Sequence, residues 1–403
     1  MTETQAIIDS YQRANAENVH AALATVVRVE GSAYRRPGAR MLITETGQTT
    51  GVLSGGCLER DVCKRAEKVM RTGEPVVVKY DTTTEDDIVW GLGLGCNGVV
   101  QVLIEPANSE CMNDFMLFLT ACSKGQRRGA VATVIQLNGE TGTTIGSRVL
   151  LYPNGEVAGE FFSLQIFDEL REAVRSGIST TKHYEVEAGE IDAFIEVIEP
   201  KVQLVIFGAG HDAIPLVALA RTLGWHTTVV DTQSRAASQT RFGEADEVLL
   251  CRPEEVRSRV LLTKRTITVM MTHNYLHDLE LLKTLLSSPA PYIGCLGPRR
   301  RTERLLQELS IDDELIPEVS LDRLHAPVGL DIGAETSEEI SLSIVAEIKA
   351  TLTGRNGGLL RSLKGTIHVN YAEPAERRAR VGVGQTNDLE SYDAASLVAL
   401  CSN

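Results

Sequence analysis

The chain has 403 residues, more than one ordinary core accommodates and enough for two or three domains. Apolar residues make up 43% and charged residues 23%, a globular balance that excludes a disordered chain. A formal net charge of −14 with no basic block repels a phosphate backbone, which excludes a nucleic-acid partner while leaving nucleotide-sized ligands open to a local pocket. No apolar run is long enough to span a membrane and no secretory leader is visible, so the expectation is a cytoplasmic protein without a membrane span. Eight cysteines without CxxC spacing read as reduced thiols and argue against a structural zinc site.

Along the chain, strands are expected at Ala24–Val29, Ala39–Thr44 and Thr49–Leu53. Between the first two lies a basic turn, Arg35-Arg36-Pro37-Gly38, which is either a bidentate phosphate clamp or a solvated loop. After the third strand, Ser54-Gly55-Gly56-Cys57 leads into a helix starting near Leu58, with Leu58, Val62, Ala66 and Val69 on one face. Two glycines and a helix start turn backbone N–H groups toward one point, which favours an anion or a thiolate, although Glu59 and Asp61 in the first turn oppose it. A second glycine-rich loop, Gly91–Gly98, carries Gly95 and Cys96. Two glycine-flanked cysteines suit soft-metal or persulfide-type sulfur chemistry or a redox pair; the plain alternative is a small buried hydrophobe. Cys63, on the helix, and Cys251, in a later strand, are read as core.

This first segment repeats. Ala24-Thr25-Val26 recurs as Ala132-Thr133-Val134, an offset of 108, and Gly31, Gly38, Gly47 and Gly51 fall on Gly139, Gly146, Gly155 and Gly159. Arg40 falls on Arg148 and Leu42 on Leu150; Arg71-Thr72-Gly73 and Tyr80 then match Arg175-Ser176-Gly177 and Tyr184 at offset 104. Ile104-Glu105-Pro106 matches Ile198-Glu199-Pro200 at offset 94. Four glycines in register predict a duplicated α+β unit whose turns need positive φ. The second copy lacks the Arg35-Arg36-Pro37 turn and both cysteine-bearing loops, and such copy-specific loops are where function tends to sit.

From Val202 the pattern changes. The apolar run Val202–Phe207, then Gly208-Ala209-Gly210-His211-Asp212-Ala213, a helix to about Leu223, and a strand Trp225–Val230 ending at Asp231 make a dinucleotide fingerprint in context. Gly208 makes the tight turn, Gly210 lets backbone approach phosphate, and Asp231 accepts from a ribose hydroxyl. Later strand ends carry Thr272-His273-Asn274-Tyr275, with His273 either a general acid/base or a hydrogen-bonded strand-end residue, and Gly294–Arg301. In the latter, Gly297, Arg299 and Arg300 form either a second anion site or a solvated helix start. His277 and His325 are read as structural. Thr336-Ser337-Glu338-Glu339 is a capping box before a long helix to about Leu352. The fold class expected is α/β: an N-terminal duplicated α+β domain (1–200, copies at about 24–106 and 132–200), a Rossmann-type doubly wound parallel sheet (201–353) and a peripheral tail (354–403).

Gly31–Gly38, Ser54–Glu59 and Gly93-Leu94-Gly95-Cys96 resemble the N-terminal motifs of the XdhC/CoxI family. Phe207–Ala213, Thr272–Tyr275, Gly294–Arg301 and Pro327–Gly333 resemble its Rossmann domain, in family order, with Asn97 departing from an expected glycine. The resemblance implies an accessory protein that binds molybdenum cofactor (molybdopterin) and supports its sulfuration and insertion into a xanthine dehydrogenase-like molybdenum hydroxylase. It implies the apo-enzyme as partner, and a cysteine desulfurase as a further one. On that reading Cys57, Cys96 and His273 carry chemistry. Arg35, Arg36, Ser54, Gly55, Gly56, Gly95, Gly208, Gly210, His211, Asp231, Gly297, Arg299 and Arg300 hold the cofactor. The competing reading is an NAD(P)-dependent oxidoreductase, which the absence of a clear acid–base pair for a substrate disfavours. A homodimer is the default assembly.

Overall fold

The computed structural model describes residues 3–31, 33–56, 58–81, 98–232, 239–311 and 321–363. The chain forms two compact units that meet in sequence between Pro200 and Lys201.

The N-terminal unit is one motif built twice. The first copy runs α1 (Glu3–Ala16), β1 (Ala21–Gly31), β2 (Arg40–Thr44), β3 (Thr49–Gly51), α2 (Glu59–Thr72), β4 (Val76–Asp81) and β5 (Gly98–Pro106). The second runs α3 (Glu110–Lys124), β6 (Gly129–Gly139), β7 (Arg148–Leu151), β8 (Val157–Gly159), α4 (Ile166–Ser176), β9 (Thr180–Val186) and β10 (Gly189–Ile198). Each copy therefore opens with a helix, ahead of the first strand where the sequence repeat becomes visible. Both antiparallel sheets have the same order, β3-β2-β1-β5-β4 and β8-β7-β6-β10-β9. All four paired glycines sit at positive φ: Gly31 and Gly139 at 75° and 90°, Gly38 and Gly146 at 94° and 89°, Gly47 and Gly155 at 81° and 92°, Gly51 and Gly159 at 91° and 107°. A β-bulge is duplicated as well, skipping Val27 in β1 and Ile135 in β6.

Pairing register corrects one equivalence. Leu23 faces Glu105 and Ala24 faces Ile104 in the first copy; Val131 faces Glu196 and Ala132 faces Ile195 in the second. Ile104-Glu105 thus corresponds to Ile195-Glu196, three residues before the Ile198-Glu199 match that the tripeptide suggests. The identical tripeptide is a coincidence of strand-end composition; the ladder decides the register.

The apolar periodicity explains the layering. In β1, Ala22, Ala24 and Val26 pack against Leu58, Val62, Ala66 and Val69 of the α2 segment, while Leu23 faces the other way. That second face, with Leu42, joins Ile7, Ile8 and Tyr11 of α1, Phe115 and Leu119 of α3, and Val131 and Leu150 of the second sheet in one cluster. Helices α1 and α3 therefore lie between the sheets, and α2 and α4 cover the outer faces. Each fully buried Leu, Ile or Val contributes roughly 1.5–3 kcal/mol, which makes this shared core the main tie between the copies.

The C-terminal unit is a six-stranded parallel sheet. Its elements are β11 (Gln203–Phe207), α5 (Ala213–Thr222), β12 (His226–Asp231), β13 (Glu247–Leu250), α6 (Val256–Arg259), β14 (Thr266–Met270), α7 (Tyr275–Leu286), β15 (Tyr292–Cys295), α8 (Arg299–Ile311), β16 (Leu324–His325) and α9 (Ser337–Leu352). The strand order β13-β12-β11-β14-β15-β16 is the doubly wound dinucleotide-fold order, with the chain reversing direction at β11. Helices α5 and α9 pack on one face and α6, α7 and α8 on the other. Both oxygens of the capping box at Thr336 and Glu339 are engaged, which satisfies the orphan N–H groups at the start of α9.

Candidate functional site

In the N-terminal unit the copy-one loops are held by short polar bonds. Ser54 Oγ accepts from Gly56 N at 3.2 Å and Leu58 N at 3.1 Å, closing the loop ahead of α2. Glu59 turns its carboxylate back onto the loop and accepts from Ser54 N at 2.7 Å, Leu53 N at 3.3 Å and Ser54 Oγ at 2.5 Å. Partial burial alone would raise the Glu59 pKa; the Ser54 hydroxyl and these backbone donors outweigh it and hold the group below the ordinary carboxylate range. Its negative charge is thus spent on the loop backbone. Gly56 needs its glycine, with φ at +104°.

The basic turn lies beside this loop, since a Cβ on Gly55 would sit 3.9 Å from the ring of Tyr34, itself 63% exposed. Arg35 is engaged from behind by Glu3, whose carboxylate accepts from Arg35 Nη1 at 3.2 Å and from Val52 N at 2.9 Å. One acidic residue on α1 therefore ties the basic turn to the segment between β3 and Ser54. Arg36 is exposed. The structure brings Arg35, Arg36, Ser54, Gly55 and Gly56 into one neighbourhood. Cys57, Gly95 and Cys96 lie outside the described residues.

Four of the five described cysteines separate from that chemistry, and the fifth, Cys111, is exposed at the start of α3. Burial pushes the Cys122 thiol up to about 12. Burial likewise raises Cys251, Cys295 and Cys63, the last aided by Glu59 and Glu67. Thiols held protonated are poor nucleophiles and poor ligands for soft metals.

In the C-terminal unit a cavity of about 280 Å³ opens at the carboxyl ends of β11, β12 and β14. Gly208, Gly210, Asp231 and His273 line it, together with Arg241 and an apolar wall that includes Cys251, Pro253 and Val256. Gly208 is required twice over: φ is +124°, and a Cβ there would lie 2.3 Å from the Met271 carbonyl oxygen. Asp231 ends β12, as the fingerprint demands. His211 is exposed in the turn.

His273 Nε2 lies 2.7 Å from Asp212 Oδ2, and its backbone takes φ +55°, a left-handed conformation uncommon outside glycine. Next to it, Asn274 caps α7 by accepting from Leu276 N and His277 N. Asp278, buried, accepts from Thr272 Oγ1 and from Arg301 Nε and Nη2 at 2.5, 3.1 and 2.6 Å. Of the three arginines opening α8, Arg301 is therefore committed to a structural ion pair. Arg299 and Arg300 are exposed and form no ion pair among the described residues. Gly297, just before them, has φ +131°.

Sequence reasoning did not single out Glu3, Asp212 or Glu347, and it read Glu59 only as a first-turn charge opposing an anion. Glu347 accepts from Tyr292 at 2.6 Å, Gly329 N at 2.8 Å and His325 at 3.1 Å, and His325 stacks on Tyr292, so this histidine is a packing residue. Asp212 had one available signal, its place inside the glycine turn.

Residues 204–348 match the XdhC Rossmann domain, and residues 14–81 match the XdhC and CoxI family. The chain is 35% identical to a protein of Bacillus subtilis (strain 168) described as a probable xanthine dehydrogenase subunit, over 82% of this chain and 93% of that protein. It is 22% identical to the molybdenum cofactor insertion chaperone PaoD of Escherichia coli (strain K12), over 81% and 82% of the two chains. A crystal structure described as a xanthine dehydrogenase from Bacillus halodurans superposes with a TM-score of 0.70 at 31% identity, covering 88% of this chain and 97% of that one. With the glycine turns of copy one, the doubly wound sheet and a likeness over 82% of its length together, the chain belongs to the XdhC and CoxI family.

Proposed function

We propose that this protein is an accessory factor that binds molybdenum cofactor as cargo and supports its sulfuration and insertion into a xanthine dehydrogenase-like molybdenum hydroxylase. The observation that carries this reading is the asymmetry of the duplication. Two copies share sheet order, glycine turns and bulge, yet the family match at residues 14–81 falls only on the copy bearing the Arg35-Arg36 turn and the Ser54–Cys57 loop. A scaffold repeated for stability with loops kept in one copy points to a site in those loops. The names of the Bacillus subtilis and PaoD relatives support the same cargo and client. On this reading Arg35 and Arg36 steer the pterin phosphate and Ser54, Gly55 and Gly56 present backbone N–H groups. Cys57 and Cys96 supply thiols for sulfur or molybdenum, and a cysteine desulfurase supplies the sulfur atom.

The Rossmann cavity is read as a nucleotide site of the same protein. The strand order, the Gly208 cradle and Asp231 support it, with the apolar wall suited to a flat base. A turnover enzyme using NAD(P) is the second reading, favoured by His273 standing in that cavity.

Molybdenum and pterin analysis of protein purified from a cofactor-making host tests the first reading. Both are expected on the parent protein, with loss on Cys57→Ala. If parent protein carries neither, the cargo reading falls; if Cys57→Ala retains as much as the parent, the thiol role falls. Saturable NADH binding with turnover, abolished by Asp231→Ala, would favour the second reading.

A further inference from the structure

The second glycine of a dinucleotide fingerprint lacks a side chain so that a ligand's pyrophosphate can approach the backbone. Here the space beside Gly210 is already filled. A Cβ built on Gly210 would lie 2.3 Å from Asp212 Oδ1, so a carboxylate oxygen stands where a ligand phosphate is expected. Its other oxygen, Oδ2, bonds His273 Nε2 at 2.7 Å. Asp212 is the N-cap of α5, yet its side chain accepts no bond from the helix, so His273 holds the carboxylate and the helix start does not. On the other side of the turn Arg241 donates to the Ala209 carbonyl. The glycine turn is thus bracketed by one guanidinium and one carboxylate. His273 itself lines the cavity from the end of β14, in a left-handed backbone conformation.

Resting on the reading of this cavity as a nucleotide site, we propose that Asp212 is a specificity-determining residue that occupies the phosphate seat as an internal anion. A nucleoside enters without disturbing it. A phosphorylated nucleotide must displace the carboxylate, because two anions at contact distance in a half-enclosed cleft repel strongly. Once displaced, Asp212 leaves His273 to the phosphate, which exchanges one anionic partner of the imidazole for another.

Calorimetric titration of the full chain with adenosine and with ADP tests the proposal. In the parent protein the diphosphate adds little to the affinity for adenosine. Asp212→Ala raises ADP affinity about tenfold or more and leaves adenosine affinity unchanged. Asp212→Asn, nearly isosteric and still able to bond His273, shifts ADP affinity in the same direction and guards against a folding defect. Adding His273→Ala to Asp212→Ala removes the ADP gain, since the phosphate then has no partner there. If adenosine binds and both Asp212 variants leave ADP affinity unchanged or lower, the proposal falls while the nucleotide reading stands. If neither compound binds to parent or variants, the nucleotide reading falls and takes the proposal with it.

Discussion

Arg40 of the first repeat ion-pairs with Glu196 of the second, and both side chains are at most 10% exposed. Arg148 returns the bond to Glu105 with side chains at most 6% exposed, and the register makes the two pairs equivalent. Each guanidinium also donates to its own turn, Arg40 to the Gly38 carbonyl and Arg148 to the Gly146 carbonyl, at 3.0 Å in both cases. Glu196→Ala leaves Arg40 charged and buried, and is expected to cost about 3–5 kcal/mol. Pairing Arg40→Met with Glu196→Leu is expected to recover most of that loss. Denaturant unfolding monitored in the N-terminal unit measures both; a loss under about 1 kcal/mol for Glu196→Ala would mean that water reaches the pair.

Gly38 and Gly47 separate backbone strain from steric conflict. Both have positive φ, 94° and 81°, but a Cβ on Gly38 would lie 2.5 Å from Glu196 Oε1 while one on Gly47 meets nothing within 4 Å. Gly47→Ala should cost about 1 kcal/mol, from conformation alone, and Gly38→Ala at least twice that. Equal losses in thermal unfolding would show that the Glu196 side chain gives way freely.

Ser54→Ala removes the acceptor for Gly56 N and Leu58 N and one donor to Glu59. The loss of these loop hydrogen bonds is expected to cost about 1 kcal/mol of stability. Because the loop that carries Cys57 then loses its anchor, molybdenum and pterin retention should fall far more than stability does. Unchanged cofactor content in the purified variant would detach this loop from cargo binding.

Glu347 links β15, the loop at Gly329 and His325. Burial pushes its pKa up, but bonds from His325, Tyr292 and Gly329 N outweigh that and depress it. A depressed carboxyl contributes stability that is present above the ordinary carboxylate range and is lost as the pH falls through the lowered value. Glu347→Gln should therefore differ from the parent most at neutral pH and least at about pH 3. A stability difference that does not vary between those conditions would remove the carboxylate's charge from the account.

Legibility followed chemistry that repeats locally. Gly31, Gly38, Gly47 and Gly51 were readable because each marks a turn only glycine enters easily, so they survived in register where neighbouring residues did not. The fingerprint from Phe207 to Asp231 was readable because strand, turn and helix follow one another within a short span. Helices α1 and α3 carry no visible repeat because a buried position tolerates any residue of suitable shape, as Ile7 and Phe115 show. Glu196 and Glu105 escaped as partners because an ion pair between copies leaves no period in either. The role of Asp212 needed coordinates, since sequence places it in the turn without saying that it faces back toward Gly210.

Phe115 lies with its ring facing both guanidinium groups, 5.1 Å from Arg40 Cζ and 4.4 Å from Arg148 Cζ. Its counterpart in the first copy is Ile7. One ring, supplied by the second copy, is thus shared by an arginine from each copy. Two copies of the first half would place isoleucine at both positions and leave neither arginine a ring. The halves are thus specialised for each other at their centre as well as in their loops, and a tandem of the first half alone would lack the keystone ring.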